Sequence, residues 1–273
     1  MNLLNSRINL AALAKEKKDA YQNAEPFPNI VLHDFFNEEI LNEIVNEFPD
    51  LSKKSEVIQY DNHNEKKLAT KGETNFGEMT RLLAHFLNSQ PILAFLQELT
   101  GIEETLIPDP YFEGGGYHEI KPGGLLKIHA DFNKNRLTKL DRRINLLVYL
   151  NKEWEESYGG HFELWDKDMT TSRKKILPLF NTVAIFSTTD FSYHGHPNPL
   201  TCPPDRSRRS LALYYYSNGR PASEINKGIE EHGTLFKNRV GVKKDIKEEA
   251  TTGSIIKEFV PPIVIKVLKK ILR

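Results

Sequence analysis

A single cysteine, Cys202, stands among 273 residues. No disulfide can form within the chain, and no thiolate cluster can hold zinc; this fits a reducing compartment. No apolar run approaches the roughly 20 residues needed to cross a bilayer. The opening MNLLNSRINLAALAKEKKDA is broken by charge too early to carry the apolar centre of a signal peptide, so the expected location is the cytoplasm. Net charge is also lacking: Lys plus Arg and Asp plus Glu are both 37. That balance removes the electrostatic case for nucleic acid as the main partner. There are no internal repeats and no low-complexity tracts. What remains is a globular composition, 39% apolar and 27% charged, long enough to bury a substantial core.

The first part of the chain reads as helices around one strand. A helix is expected over 6–23, ended by Pro26 and Pro28, followed by a strand in PFPNIVLHDFF. Asn37 is an expected N-cap, with Glu38 and Glu39 in the first turn, where negative charge suits the helix dipole. Behind it Ile40, Leu41, Ile44, Val45 and Phe48 form one apolar stripe at helical spacing. Residues 51–76 are polar and irregular and read as a long surface loop. Two further helices are expected, around 77–88 and 91–100, the second stopped by Gly101. From about 105 short apolar runs recur between Gly, Pro and Asn: TLIPDPYF, GGLLKIHADF, RINLLVYLN, GGHFELWD, KKILPLF, NTVAIFST and RRSLALYYYS. Strands spaced in this way predict an antiparallel sandwich or jelly roll. The fold class is therefore mainly β with flanking helices (α+β) around a double-stranded β-helix core. The expected organisation is an N-terminal region over 1–104, the core over 105–220 and an extension over 221–273.

In KIHADFN, the period-two alternation of a strand puts His129 and Asp131 on one face, with Ala130 turned away. A third ligand is expected from FSYHGHP, where His194 and His196 are again two apart. A His/Asp/His set is the facial triad of non-haem iron oxygenases. Downstream, RSRRSLALYYYS carries Arg208 and Ser210 on one face and Arg209 on the other. A guanidinium beside a hydroxyl makes a fork for a carboxylate, and a buried arginine is costly without such a partner. Tyr117, His118, Glu119 and Asn133 are further candidates to face a substrate, against the plainer reading as strand or turn residues. Gly114, Gly115 and Gly116 read as a tight turn. His85 and His161 read as structural histidines.

With these segments in order, the chain resembles the Fe(II)- and 2-oxoglutarate-dependent dioxygenases, in particular their prolyl-hydroxylase-like branch. The similarity runs over about 110–217, through IHAD, RRINLLVYLNKEW, YGGHFELWD, NTVAIFSTTDFSYHGHP and RRSLALYYY. The resemblance implies an iron site of His129, Asp131 and His194, with His196 as the alternative distal ligand. It implies that Arg208, or Arg209 as alternative, holds the far carboxylate of 2-oxoglutarate. Tyr149 would help through its hydroxyl, Ser210 would share the fork, and Asn145 and Leu147 would line the pocket. The implied reaction hydroxylates an unactivated C–H bond and decarboxylates 2-oxoglutarate to succinate and CO2, with Fe(II), dioxygen and ascorbate as reductant. The primary substrate would be a prolyl peptide, an amino acid or a glycan- or lipid-linked metabolite. Two alternatives differ in class: a non-oxidative cupin-type isomerase or epimerase, and an inactive jelly-roll binding module. The first needs no carboxylate clamp, and the full set of ligand types weighs against the second.

Near the end, PPIVIKVLKKILR has Ile263, Val264, Val267, Leu268, Ile271 and Leu272 on one helical face. Lys266, Lys269, Lys270 and Arg273 share the other. A docked terminal helix is the first expectation, and a peripheral contact with a membrane or partner through 262–273 the second. A homo-oligomer is compatible with the sequence.

Overall fold

The computed structural model of the protein describes residues 2–225 and 231–247; the amphipathic segment 262–273 lies outside them. Four α-helices form one layer: α1 (Leu10–Gln22), α2 (Glu38–Glu47), α3 (Glu78–Leu87) and α4 (Gln90–Thr100). Their ends follow local chemistry. The Asn9 side chain accepts from the Ala12 amide and starts α1 at Leu10, four residues later than expected. Asn37 caps α2 through the Glu39 amide, and Gly101, at φ 68°, ends α4 in the left-handed conformation that glycine adopts without cost.

Thirteen strands form one antiparallel sheet that curls into a nearly closed jelly roll. They are β1 (Asn29–His33), β2 (Val57–Asp61), β3 (Glu65–Thr70), β4 (Ile107–Pro108), β5 (Gly116–Ile120), β6 (Leu125–Ala130), β7 (Asp141–Tyr149), β8 (Phe162–Trp165), β9 (Ser172–Ile176), β10 (Thr182–Ser187), β11 (His194–His196), β12 (Arg208–Ser217) and β13 (Leu235–Phe236). The strand order is β1-β10-β7-β12-β5-β3-β6-β11-β8-β9. Alternation along its central strands divides the molecule into two interiors. Ile144, Leu146 and Val148 of β7, Val183 and Ile185 of β10, and Leu211, Leu213 and Tyr215 of β12 join the helix residues Leu83, Leu87, Leu96 and Leu99 in the main core. The residues between them on the same strands face the inside of the roll, and the site is built there.

One expectation fails. Residues 51–76 are not a loop: β2 and β3 form a hairpin, and β3 pairs with both β5 and β6, so it links the two halves of the roll. Its turn is set by Asn62, whose side-chain oxygen accepts from the Asn64 and Glu65 amides at 2.8 and 2.9 Å. EKKLAT is charged enough to read as solvent-facing, but β3 pairs with strands about fifty residues away, and local composition does not record such pairing. The TLIPDPYF run, in contrast, keeps only the two-residue β4.

Candidate metal centre and co-substrate pocket

β6 and β11 run antiparallel with His194 directly opposite His129. Asp131 follows β6 at once. A side chain at Gly195 would strike the Leu126 and Lys127 carbonyl oxygens at 2.7 and 2.8 Å, so only glycine lets the two strands lie this close. The imidazole centroids are 4.5 Å apart. Each histidine Nε2 stands 3.4 Å from an Asp131 oxygen, His129 from Oδ1 and His194 from Oδ2. One donor atom from each of the three residues falls within 4.8 Å of the others.

The back of each ring is held in the same way. His129 Nδ1 donates to the Lys127 carbonyl and His194 Nδ1 to the Ser192 carbonyl, both at 2.8 Å. A carbonyl only accepts, so the proton sits on Nδ1 and the Nε2 lone pairs face inward. Burial, and then the neighbouring His194, keep His129 below its ordinary pKa and so neutral. Two imidazoles that turn Nε2 inward and one carboxylate, gathered within 4.8 Å of one another, are a donor set that fits a divalent iron ion.

Asp131 is governed by two residues of β7. Its Oδ2 accepts from Asn145 Nδ2 at 2.7 Å and from Arg142 Nη2 at 3.1 Å, and Arg142 Nε donates to Asn145 Oδ1 at 2.9 Å. The guanidinium lies between two rings, 3.4 Å from the Tyr214 centroid and 4.3 Å from that of Phe132. Burial alone would raise the Asp131 carboxyl, but Arg142, and after it His194, hold it well below the usual carboxylate range. Arg142 is not readable as a site residue, because alternation from Asn145 points it toward the helices. A bulge in the β7–β12 ladder, where Tyr215 faces Ile144 but Tyr216 faces Arg142, skips Arg143 and turns Arg142 inward. Asn145 lines the pocket as expected, but its amide serves Asp131.

The other end of the pocket is cationic. Arg208 is 6% exposed; its Nε donates to the Gly160 carbonyl at 2.8 Å and its Nη2 to the Tyr149 hydroxyl at 3.3 Å. Tyr149 therefore stands behind the guanidinium as its orienting partner. Gly160, at φ 72°, leaves no room for a side chain, since a Cβ would lie 3.0 Å from Arg208 Cδ. No carboxylate among the described residues pairs with Arg208. Arg209 points to the other face, 3.5 Å from Glu119 Oε1 and over the Phe48 ring. Ser210, Leu147, Lys67, His118 and His196 join Arg208 around a cavity of about 70 Å³ that reaches the three metal-facing residues. Among the carboxylates only Asp131 lines it. Lys67 comes from a place the sequence does not mark for this role, the unexpected hairpin, and His196, the alternative distal ligand, lines the cavity.

The remaining candidates separate. Tyr117 is bonded to Thr80 on the helix side, and Glu119 accepts from Ser207 at 2.7 Å. Asn133 is buried away from the pocket, where its side-chain oxygen accepts from the His232 amide at 3.0 Å. His161 and His85 pair with Glu156 and Glu73, as structural histidines do. The loop of prolines after His196 is packed: Leu200 and Cys202 share a buried cluster with Ile120 and Trp154. A contributor absent from the sequence reading is Phe236, which β13 places opposite His129 with its ring 5.6 Å from the imidazole. Beyond Phe132, whose ring meets Tyr214 edge-on, lies a larger cavity of about 630 Å³. Tyr60, Tyr111, Phe112, Lys71 and Glu113 are among the residues that line it.

Residues 115–216 match the family model of the 2OG-Fe(II) oxygenase superfamily. No curated protein sequence matches the chain. Among solved structures, the fold is similar to a Pseudomonas putida prolyl-4-hydroxylase, at 16% identity and TM-score 0.54, over 77% of this chain and 100% of that one. It is equally similar to a prolyl hydroxylase from Trichoplax adhaerens, solved with a peptide fragment of the hypoxia inducible factor oxygen degradation domain. That likeness has 16% identity and TM-score 0.54, over 76% of this chain and 90% of that one. With a jelly roll of this type, a His/Asp/His group able to hold a metal and the family match over residues 115–216, the core of the chain is a 2OG-Fe(II) oxygenase domain and the protein is a 2-oxoglutarate-dependent oxygenase.

Proposed function

We propose that this oxygenase hydroxylates an unactivated C–H bond of an organic substrate, with His129, Asp131 and His194 as iron ligands and Arg208 as the anchor of 2-oxoglutarate. The observation that carries this reading is the guanidinium of Arg208, buried without a carboxylate partner among the described residues at the far end of the pocket that holds the triad. A cation in that position is stable when an anionic ligand completes it. Fe(II) at the triad would supply the dioxygen chemistry that is coupled to decarboxylation of 2-oxoglutarate to succinate and CO2. The chain's own residues do the rest. Lys127 and Ser192 carbonyls fix the imidazole tautomers, Arg142 and Asn145 keep Asp131 ionised and aimed, and Tyr149 and Gly160 hold Arg208 in place. Phe236 and Phe162 line the metal-facing histidines with apolar surface that limits water.

The deciding experiment loads the protein with Fe(II) without oxygen, titrates 2-oxoglutarate, then admits oxygen and measures succinate. Asp131→Ala is expected to lose stoichiometric metal binding and all measurable succinate. Wild-type levels of both in that variant would overturn the ligand assignment.

The primary substrate is placed in the larger cavity. Its aromatic walls offer flat faces for a ring such as pyrrolidine, and the Trichoplax neighbour was solved with a peptide, so prolyl peptides lead the substrate panel. Tyr111 is 60% exposed on that wall, and its loss should not disturb folding. Tyr111→Ala is expected to raise KM for the accepted substrate several-fold and leave 2-oxoglutarate binding unchanged. An unaltered KM would move the substrate elsewhere.

A further inference from the structure

His196 is a buried polar pocket residue that the proposed function leaves without a task. It is 3% exposed, and both ring nitrogens lack a hydrogen-bond partner among the described residues. Leaving two buried polar atoms unpaired is costly, and native interiors rarely tolerate it without a ligand or ordered water. His196 lies opposite Leu126 on β6, past an irregularity in the ladder that follows His194, and lines the same cavity as His194. The crowding behind Gly195 holds β11 tightly against its neighbour. The ring lines the cavity together with Arg208 and Lys67, and an imidazole in either tautomer carries an N–H that can donate.

We propose that His196 is a second contact for the co-substrate, donating a hydrogen bond to the carboxylate end that Arg208 holds. The inference rests on the reading of this cavity as the 2-oxoglutarate site. In that reading Arg208 supplies charge and His196 supplies direction. An imidazole N–H takes up one carboxylate lone pair at a fixed angle, beside the charges of Arg208 and Lys67 that line the same pocket. His196 is thus a binding and positioning residue, distinct in role from His194 two residues earlier.

The test is calorimetric titration of 2-oxoglutarate into Mn(II)-loaded protein without turnover, comparing wild type with His196→Leu and His196→Gln. Mn(II) affinity is measured alongside as a check on the triad. His196→Leu is expected to weaken 2-oxoglutarate binding by about tenfold to a hundredfold, with Mn(II) affinity within about threefold of wild type. His196→Gln, which keeps an N–H, should recover most of the loss. Unchanged 2-oxoglutarate affinity in His196→Leu overturns the inference, as does a loss that His196→Gln fails to recover. If wild-type protein itself binds no 2-oxoglutarate, the reading of the cavity falls first, so the two failures are distinguishable.

Discussion

Arg208→Leu is expected to abolish 2-oxoglutarate binding while leaving the fold about as stable as before. The two effects separate because this guanidinium has no ionic partner among the described residues. Burying an ion costs several kcal/mol even after relaxation, and here only the Gly160 carbonyl and the Tyr149 hydroxyl offset that cost. Removing the charge relieves the desolvation penalty. It leaves one carbonyl and one phenol short of a donor, at about 1–3 kcal/mol each, so the two changes roughly cancel in the ligand-free protein. With ligand the sign is plain. A buried charge pair loses about 2–5 kcal/mol when one partner is truncated, which corresponds to an affinity drop of about thirtyfold to several thousandfold. Chemical denaturation and titration of Mn(II)-loaded protein read the two quantities separately. A large loss of stability with retained 2-oxoglutarate affinity would make Arg208 a structural residue and remove the main support for the proposed function.

Arg142→Leu is expected to do the reverse, and to depend on metal. Arg142 is 1% exposed and donates to Asp131 from inside an aromatic sandwich. Truncating one member of a buried ion pair leaves the other uncompensated and costs about 3–5 kcal/mol, a large part of a typical domain's stability. A divalent cation bound to Asp131 supplies the missing positive charge. The destabilisation should therefore be largest in metal-free protein and shrink when Mn(II) is bound. Urea unfolding with and without Mn(II) measures this. An equal loss in both states would mean that Arg142 acts through packing against Tyr214 and Phe132, with no electrostatic hold on the ligand.

Both predictions turn on residues of different legibility. Arg208 could be picked out beforehand because β12 is a regular strand: Arg208 and Ser210 share a face, and Arg209 falls opposite beside Glu119. The same period-two rule placed His129 with Asp131 and brought Asn145, Leu147 and Tyr149 to the inner face of β7. His194 and His196 stayed interchangeable on that rule, since both point inward. Only the pairing of β11 with β6 sets His194 across from His129, and so distinguishes the ring that meets His129 and Asp131 from the one with no partner among the described residues. Arg142 was invisible for the converse reason. A bulge breaks the alternation on which the reading depends, and the bulge exists only in the ladder with β12.

The β2–β3 hairpin and β13 teach the same thing on a larger scale. Their sequences are short and polar, and their strand character comes from partners far along the chain; yet they bring Lys67 to the pocket and Phe236 to His129. By itself the sequence determined the chemistry of this protein: the ligand types, their spacing, the arginine strand and the faces of regular strands. These are encoded by alternation within a few residues. The tertiary structure decided the rest: which histidine meets the metal site, what holds Asp131, and what closes the pocket. Those outcomes depend on strand pairing and bulges between distant segments, whose energy is shared by both partners and written in neither one alone.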